Sequence, residues 1–251
     1  MDLLLLPGLL CDEASWAGVA VQLRDVAACR VARYGDERSL AAMAARALDG
    51  APAQFALAGH SMGARVACEI LRMAPERVAC LALLDTGHTG VPAGAAGDSE
   101  RERRRALVAT AHARGMRALA HAWLPPMIHP SRLQDENLVG EIVAMVERST
   151  PQRFSAHVEA LLARPAVGEL LRAIRVPTLV ACGNDDAWSP LAQHVAIASL
   201  VPGSRLATFA DCGHMSPMER PAEVAAALRS LLRGPQGRSA GPASAAVAAG
   251  T

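Results

Sequence analysis

The stretch Phe55-Ala56-Leu57-Ala58-Gly59-His60-Ser61-Met62-Gly63-Ala64 decides the fold. Phe55–Ala58 is a short apolar run, as expected for a strand buried on both faces. From Ala64 to Met73 the apolar residues recur at helical spacing, and the pattern stops at Ala74-Pro75. Between the two runs, Gly59-His60-Ser61-Met62-Gly63 fits G-x-S-x-G. A serine on so tight a strand-to-helix turn sits in strained backbone geometry. The glycines two residues before and after it remove side chains that would clash. The turn presents the serine hydroxyl at the carboxyl end of a sheet. His60, though next to the serine in sequence, is expected to point elsewhere.

Outward from this turn the chain alternates strands and helices. Strands are expected at Asp2–Leu6, Ala28–Tyr34, Phe55–Gly59, Val78–Leu84, Thr178–Cys182 and Arg205–Phe209, each covered on both faces. Helices are expected at Ser39–Leu48, Gly63–Met73, Leu191–Leu200 and Ala222–Leu232. This alternation predicts an α/β domain with right-handed crossovers. One interval breaks the rhythm. From Thr89 to Ile174 no strand pattern occurs, and a structureless loop of about 85 residues does not fit a compact domain. It reads as an inserted helical subdomain, entered through the Gly/Ala-rich residues 90–97. Within it, Glu100-Arg101-Glu102-Arg103-Arg104-Arg105 is expected to form a solvated helix face with i,i+4 ion pairs. The division is then a core at 1–88 and 175–233, a helical insertion at 89–174, and a disordered Gly/Pro-rich tail at 234–251.

A serine nucleophile needs a base. Asp211-Cys212-Gly213-His214-Met215 follows the last strand, so His214 lies in a loop that can reach the carboxyl end of the sheet. Histidine titrates near neutrality and can take the serine proton and pass it to the leaving group. With such a base, activity rises from mildly acidic to neutral pH. The base needs an orienting carboxylate. Asp185 and Asp186 follow the fifth strand and Asp85 follows the fourth, so all three are candidates on one edge of the sheet. The oxyanion donors are expected to be the backbone N–H of Met62, directly after the nucleophile, and that of Leu9. Leu9 lies in the Pro7-Gly8-Leu9-Leu10 loop, where Gly8 permits the turn.

Composition narrows the chemistry. The 251 residues are 51% hydrophobic and 20% charged, with a formal charge of +1. That length supports one sizeable core. The near-zero charge argues against nucleic-acid binding. All 25 basic residues are arginine, so Schiff-base lysine chemistry and a Walker A loop are excluded. The cysteines at 11, 29, 68, 80, 182 and 212 form no CxxC or zinc pattern. They are expected to be reduced thiols in a cytoplasmic protein. The apolar start lacks a basic region and is cut by Pro7-Gly8, so it is not expected to be a signal peptide. No run reaches the roughly 18 apolar residues of a membrane span. No metal or organic cofactor is implied.

In the Pro7-Gly8 loop, the Ser61 turn, Gly183-Asn184-Asp185-Asp186 and Gly213-His214, in that order, the chain resembles the α/β-hydrolases over residues 1 to about 233. The resemblance implies a catalytic triad of Ser61, Asp186 and His214. The family's spacing after the glycine picks Asp186 over Asp185, and some members place the acid where Asp85 stands. It also implies a sheet of six parallel strands in the order 2-1-3-4-5-6, two edge strands fewer than the family's usual count. The 89–174 insertion would be the cap. Pro7-Gly8 replaces the family's common His-Gly.

The family hosts several reactions. Ser61 in place of aspartate argues against dehalogenase and epoxide-hydrolase chemistry. Leu5 with Pro7-Gly8-Leu9, and Gly213-His214-Met215, resemble bacterial hydrolases of small esters or lactones. The leading expectation is therefore hydrolysis of a small or medium carboxylic ester or lactone through an acyl-enzyme. Trp16, Trp123, Met127, Trp188 and Met215 are candidates to line the acyl pocket. A C–C bond hydrolase or lyase-like enzyme is the alternative. It would need an arginine for a substrate acid group, with Arg101, Arg103, Arg104, Arg105, Arg117 and Arg153 as candidates. A non-catalytic binding protein is the third reading, and fluorophosphonate labelling of Ser61 would separate it from the others.

Overall fold

The computed structural model of the chain describes residues 1–234. Six strands form one sheet: β1 (Asp2–Leu6), β2 (Ala28–Val31), β3 (Phe55–His60), β4 (Val78–Leu84), β5 (Thr178–Gly183) and β6 (Arg205–Phe209). Every pairing is parallel, and the spatial order is β2-β1-β3-β4-β5-β6. Side chains alternate along the strands and so build two separate cores. Leu4, Leu6, Leu57, Leu81, Leu83 and Val180 point to one face. Leu3, Leu5, Ala56, Ala58, Ala82 and Leu179 point to the other. Full burial of a leucine contributes about 1.5–3 kcal/mol, so a one-residue slip of any central strand would forfeit both cores at once.

The first core is covered by α2 (Leu40–Leu48), α3 (Met62–Met73) and α8 (Leu191–Leu200). The second is covered by α1 (Ala14–Leu23) and α10 (Pro221–Leu232), with Trp16 fully buried between them and the sheet. Local chemistry sets the helix ends. Ser39 caps α2 by accepting from the Ala42 N–H at 3.1 Å, and Pro75 blocks continuation of α3.

Between β4 and β5 lie α4 (Ala95–Trp123), α5 (Glu136–Glu147), α6 (Pro151–Leu162) and α7 (Gly168–Ala173), with no strand. Asp135 and Thr150 cap α5 and α6. Gly115, at φ 82°, breaks α4 into two arms. The segment packs over the first core and over the carboxyl ends of the strands.

Four expectations need correction. β2 ends at Val31, because the chain leaves the sheet edge before Tyr34. The edge strands β2 and β6 are half-exposed rather than covered on both faces. Helix α1 adds to the four helices expected in the core, and it buries Trp16, Val19 and Leu23 along one face. The 100–105 run is solvated only in part: Glu100 and Arg104 turn inward, paired at 2.9 Å. The tail assigned to 234–251 lies, Gly234 apart, outside the described residues. No helix among the described residues is long and apolar enough to cross a membrane.

Candidate active site

Ser61 sits between β3 and α3 at φ 55°, ψ −115°, a conformation that costs a non-glycine residue of order 1–3 kcal/mol. The surroundings over-determine it. The Ser61 N–H donates to the Leu84 carbonyl at 2.8 Å, and the Thr86 hydroxyl donates to the Ser61 carbonyl at 3.1 Å. A Cβ on Gly59 would meet the Ala64 nitrogen at 2.6 Å, and one on Gly63 would overlap the Leu6 carbonyl. The elbow therefore admits only glycine at both positions.

Three side chains form an unbroken line. The Ser61 Oγ lies 2.8 Å from His214 Nε2, and His214 Nδ1 lies 2.8 Å from Asp186 Oδ2. The other Asp186 oxygen accepts from the N–H groups of Trp188 (2.8 Å) and Ser189 (2.7 Å). Burial works against the Asp186 charge. The facing His214 and the two backbone donors more than offset it and hold the carboxyl below its ordinary range. Such a line lets the imidazole accept the serine proton while its other nitrogen stays fixed by the carboxylate.

The other two carboxylate candidates do not touch His214. Asp85 accepts from the Gly183 N–H at 3.1 Å and from the Ser216 hydroxyl. Burial, and then the nearby Asp186 charge, push its carboxyl well above the ordinary range. Asp185 is half-exposed and faces His129 at 3.8 Å. His60 points behind the histidine loop, its Nε2–H donating to the His214 carbonyl at 2.7 Å. Burial, and then His214, depress its pKa to about 3, so it is neutral.

The His214 loop has a clamp that the sequence reading missed. Buried Glu219 accepts from the N–H groups of Gly213 (3.0 Å), Met215 (3.3 Å) and His129 (2.8 Å). The Met127 carbonyl accepts from both His214 (2.9 Å) and Met215 (3.0 Å). Glu219 lies in the same stretch of sequence as His214. Its one signal is a lone acid in the first turn of a helix, which also reads as an ordinary cap.

Leu9 and Met62 both line the cleft beside Ser61. Met62 opens α3, where N–H groups have no acceptor inside the helix. The turn in the first loop differs from expectation. Its left-handed residue is Leu10, at φ 64°, inside a turn closed by Cys11 N–H to the Gly8 carbonyl at 3.2 Å. Gly8 instead supplies space, since a Cβ there would meet His60 Nδ1 at 2.9 Å.

The cleft is a cavity of about 400 Å³. Of the five residues put forward for the acyl pocket, Trp123, Met127, Trp188 and Met215 line it. Trp16 does not. It lies under the opposite face of the sheet, edge-on to His60 at 6.5 Å, because α1 covers the second core. Among the described residues no cluster of three or more side chains suits a metal ion.

The chain is 28% identical over 190 residues to a pimeloyl-acyl-carrier-protein methyl ester esterase of Aromatoleum aromaticum, covering 73% of this chain and 76% of that one. A thermophilic esterase from Thermogutta terrifontis, solved with malate bound, superposes with a TM-score of 0.82 at 28% identity, over 93% of this chain and 89% of that one. An enol-lactonase from Burkholderia xenovorans shares the fold, with a TM-score of 0.78 at 22% identity over 92% and 91%. The alpha/beta hydrolase family model matches residues 3–227, a span that includes the Ser61 elbow, Asp186 and the His214 loop, and the protein belongs to that family.

Proposed function

We propose that the protein hydrolyses a small or medium carboxylic ester or lactone through an acyl-enzyme on Ser61. The Ser61–His214–Asp186 line, closed at 2.8 Å at both links, carries this reading. That two relatives at 28% identity are esterases adds to it. His214 Nε2 takes the hydroxyl proton as Ser61 Oγ attacks the carbonyl carbon. The oxyanion that forms is met by the N–H groups of Leu9 and Met62. The alcohol leaves with the proton from His214. Water, activated by the same nitrogen, then releases the acid. With a lactone the alcohol stays tethered to the acyl chain. The helices at 89–174 serve as a cap over the cleft. The six cysteines are free, which fits a reducing, cytoplasmic setting.

The test compares wild type with Ser61→Ala on p-nitrophenyl acetate, butyrate and octanoate. Turnover by wild type, lost in the variant, is expected, and the chain-length preference sizes the acyl pocket. Equal turnover by both proteins would overturn the assignment.

A further inference from the structure

Charge on the cavity wall is unbalanced. Arg65, Arg103, Arg104 and Arg164 reach it, with Glu100 as the sole carboxylate among its lining residues. Glu100 is already shared. Its Oε1 accepts from Arg104 Nε at 2.9 Å and Arg164 Nη1 at 2.8 Å, and its Oε2 from Arg164 Nη2 at 2.9 Å. The two arginines, pulling against burial, drop its pKa to about 2.

Arg65 has no such partner. It is 4% exposed, its Nη2 donates to the Thr89 carbonyl, and its buried Nη1 has no hydrogen-bond partner. Among the described residues no carboxylate pairs with it. Burial lowers its pKa only to about 10, so it is a cation at neutral pH. Glu100 and Glu69 favour its charge from beyond ion-pair distance, and an anion bound directly to it offsets more of the cost of burial. Arg65 also stands in the first turn of α3, four residues after Ser61, and both line the cavity. Arg164 Nε reaches the same Thr89 carbonyl at 3.4 Å. Arg104 stacks over Trp188 at 5.5 Å, and that ring lies 6.4 Å from His214. The cationic cluster thus spans the space from the elbow helix to the histidine side of the cleft.

We propose that this cluster is an anion subsite for the substrate's far end: the ester cleaved at Ser61 carries a second, carboxylate group, as in a half-ester of a short dicarboxylic acid. Arg65 is its principal ligand and Arg164 supports it. The proposal rests on the ester-hydrolase reading of Ser61. A guanidinium binds a carboxylate by two parallel charge-assisted hydrogen bonds, which sets the expected effect at about 10- to 100-fold.

The test measures kcat/KM by proton release for monomethyl glutarate and methyl pentanoate, which differ in the terminal carboxylate. Wild type is expected to prefer the half-ester at least about tenfold, and Arg65→Met to reduce that ratio by about 10- to 100-fold. Should Arg65→Met fail to fold, Arg164→Gln carries the same comparison, with a ratio reduced in the same direction. Equal or better turnover of methyl pentanoate by wild type overturns the subsite and leaves the ester reading standing. If wild type hydrolyses neither ester, the ester reading has failed, and calorimetry with glutarate decides the subsite. Binding weakened at least about tenfold by either variant supports it, and equal or absent binding overturns it.

Discussion

Asp85 and Asp186 are two buried carboxyls whose surroundings push their pKa values in opposite directions. Asp186 faces His214 and two backbone donors and stays ionised. Asp85 faces a hydroxyl and one N–H, and burial, then the Asp186 charge, pushes its carboxyl toward the neutral form. An amide should therefore replace Asp85 cheaply and Asp186 dearly. Asp186→Asn is expected to lower kcat by a factor on the order of 10⁴ with the fold intact, because the imidazole loses its fixed tautomer. Asp85→Asn is expected to keep kcat within about tenfold, since Asn mimics the neutral acid. Steady-state kinetics on one p-nitrophenyl ester checks both, and a larger loss from Asp85→Asn would reverse the assignment. Ser61 and His214 were legible in the sequence because each sits in a short motif directly after a strand. The choice between three aspartates was not legible from the residues, since all follow strands on one edge. Strand termini fix position along the sheet but not which side chain faces the imidazole.

The elements closest to the site are joined by backbone groups rather than by motif side chains. Glu219, at the end of α9 (Ser216–Glu219), collects N–H groups from the histidine loop and from His129 in the helical segment. One carboxylate thus sets the register between the His214 loop and the helical segment at 89–174. In Glu219→Gln a single amide oxygen must serve three donors, and its NH2 confronts N–H groups. The cost of unsatisfied buried donors is about 1–3 kcal/mol each. The variant is expected to unfold at a Tm lower by several degrees and to lose kcat more than KM, as the His214 loop drifts from Ser61. Thermal unfolding and ester kinetics check this, and an unchanged kcat would show that Met127 alone holds the loop. Sequence periodicity marked all six strands and four helices, since each carries its own apolar pattern. It passed over α1, whose short buried face is only Trp16, Val19 and Leu23 with Ser15 beside them. It read 100–105 as solvated because charge pattern alone cannot show that Glu100 and Arg104 face a cavity.

Across the whole molecule, site and core share buried histidines, and this ties stability to pH. His194, fully buried in α8, accepts the Thr86 N–H at Nε2 (2.8 Å), and Thr86 in turn holds the Ser61 carbonyl. Its bond to Thr86 requires the neutral ring. Burial depresses its pKa from 6.5 to about 4, partly offset by Asp186, and burial takes His60 to about 3. Both groups bind protons in the unfolded chain below pH 6.5 but not yet in the folded one. Their contribution is complete above pH 6.5 and is lost progressively as pH falls toward about 4. Asp85 and Glu219, with raised carboxyl pKa values, act with the opposite sign and protonate first in the folded state. The total slope therefore mixes the two kinds, and a variant is needed to separate them. In His194→Gln the amide oxygen can still accept from Thr86 and carries no titration in this range. Urea unfolding of both proteins at pH 7, 5.5 and 4 should show wild type losing up to about 3 kcal/mol more than the variant. That figure follows from about 1.4 kcal/mol for each pH unit separating the folded and unfolded pKa of His194. A difference that stays constant across the window would mean that His194 titrates in the folded protein as it does in the unfolded chain. None of this coupling was legible in the sequence, because His194 and Thr86 are brought together only by the long-range packing of α8 against β5 and β6, which sets it over the turn after β4.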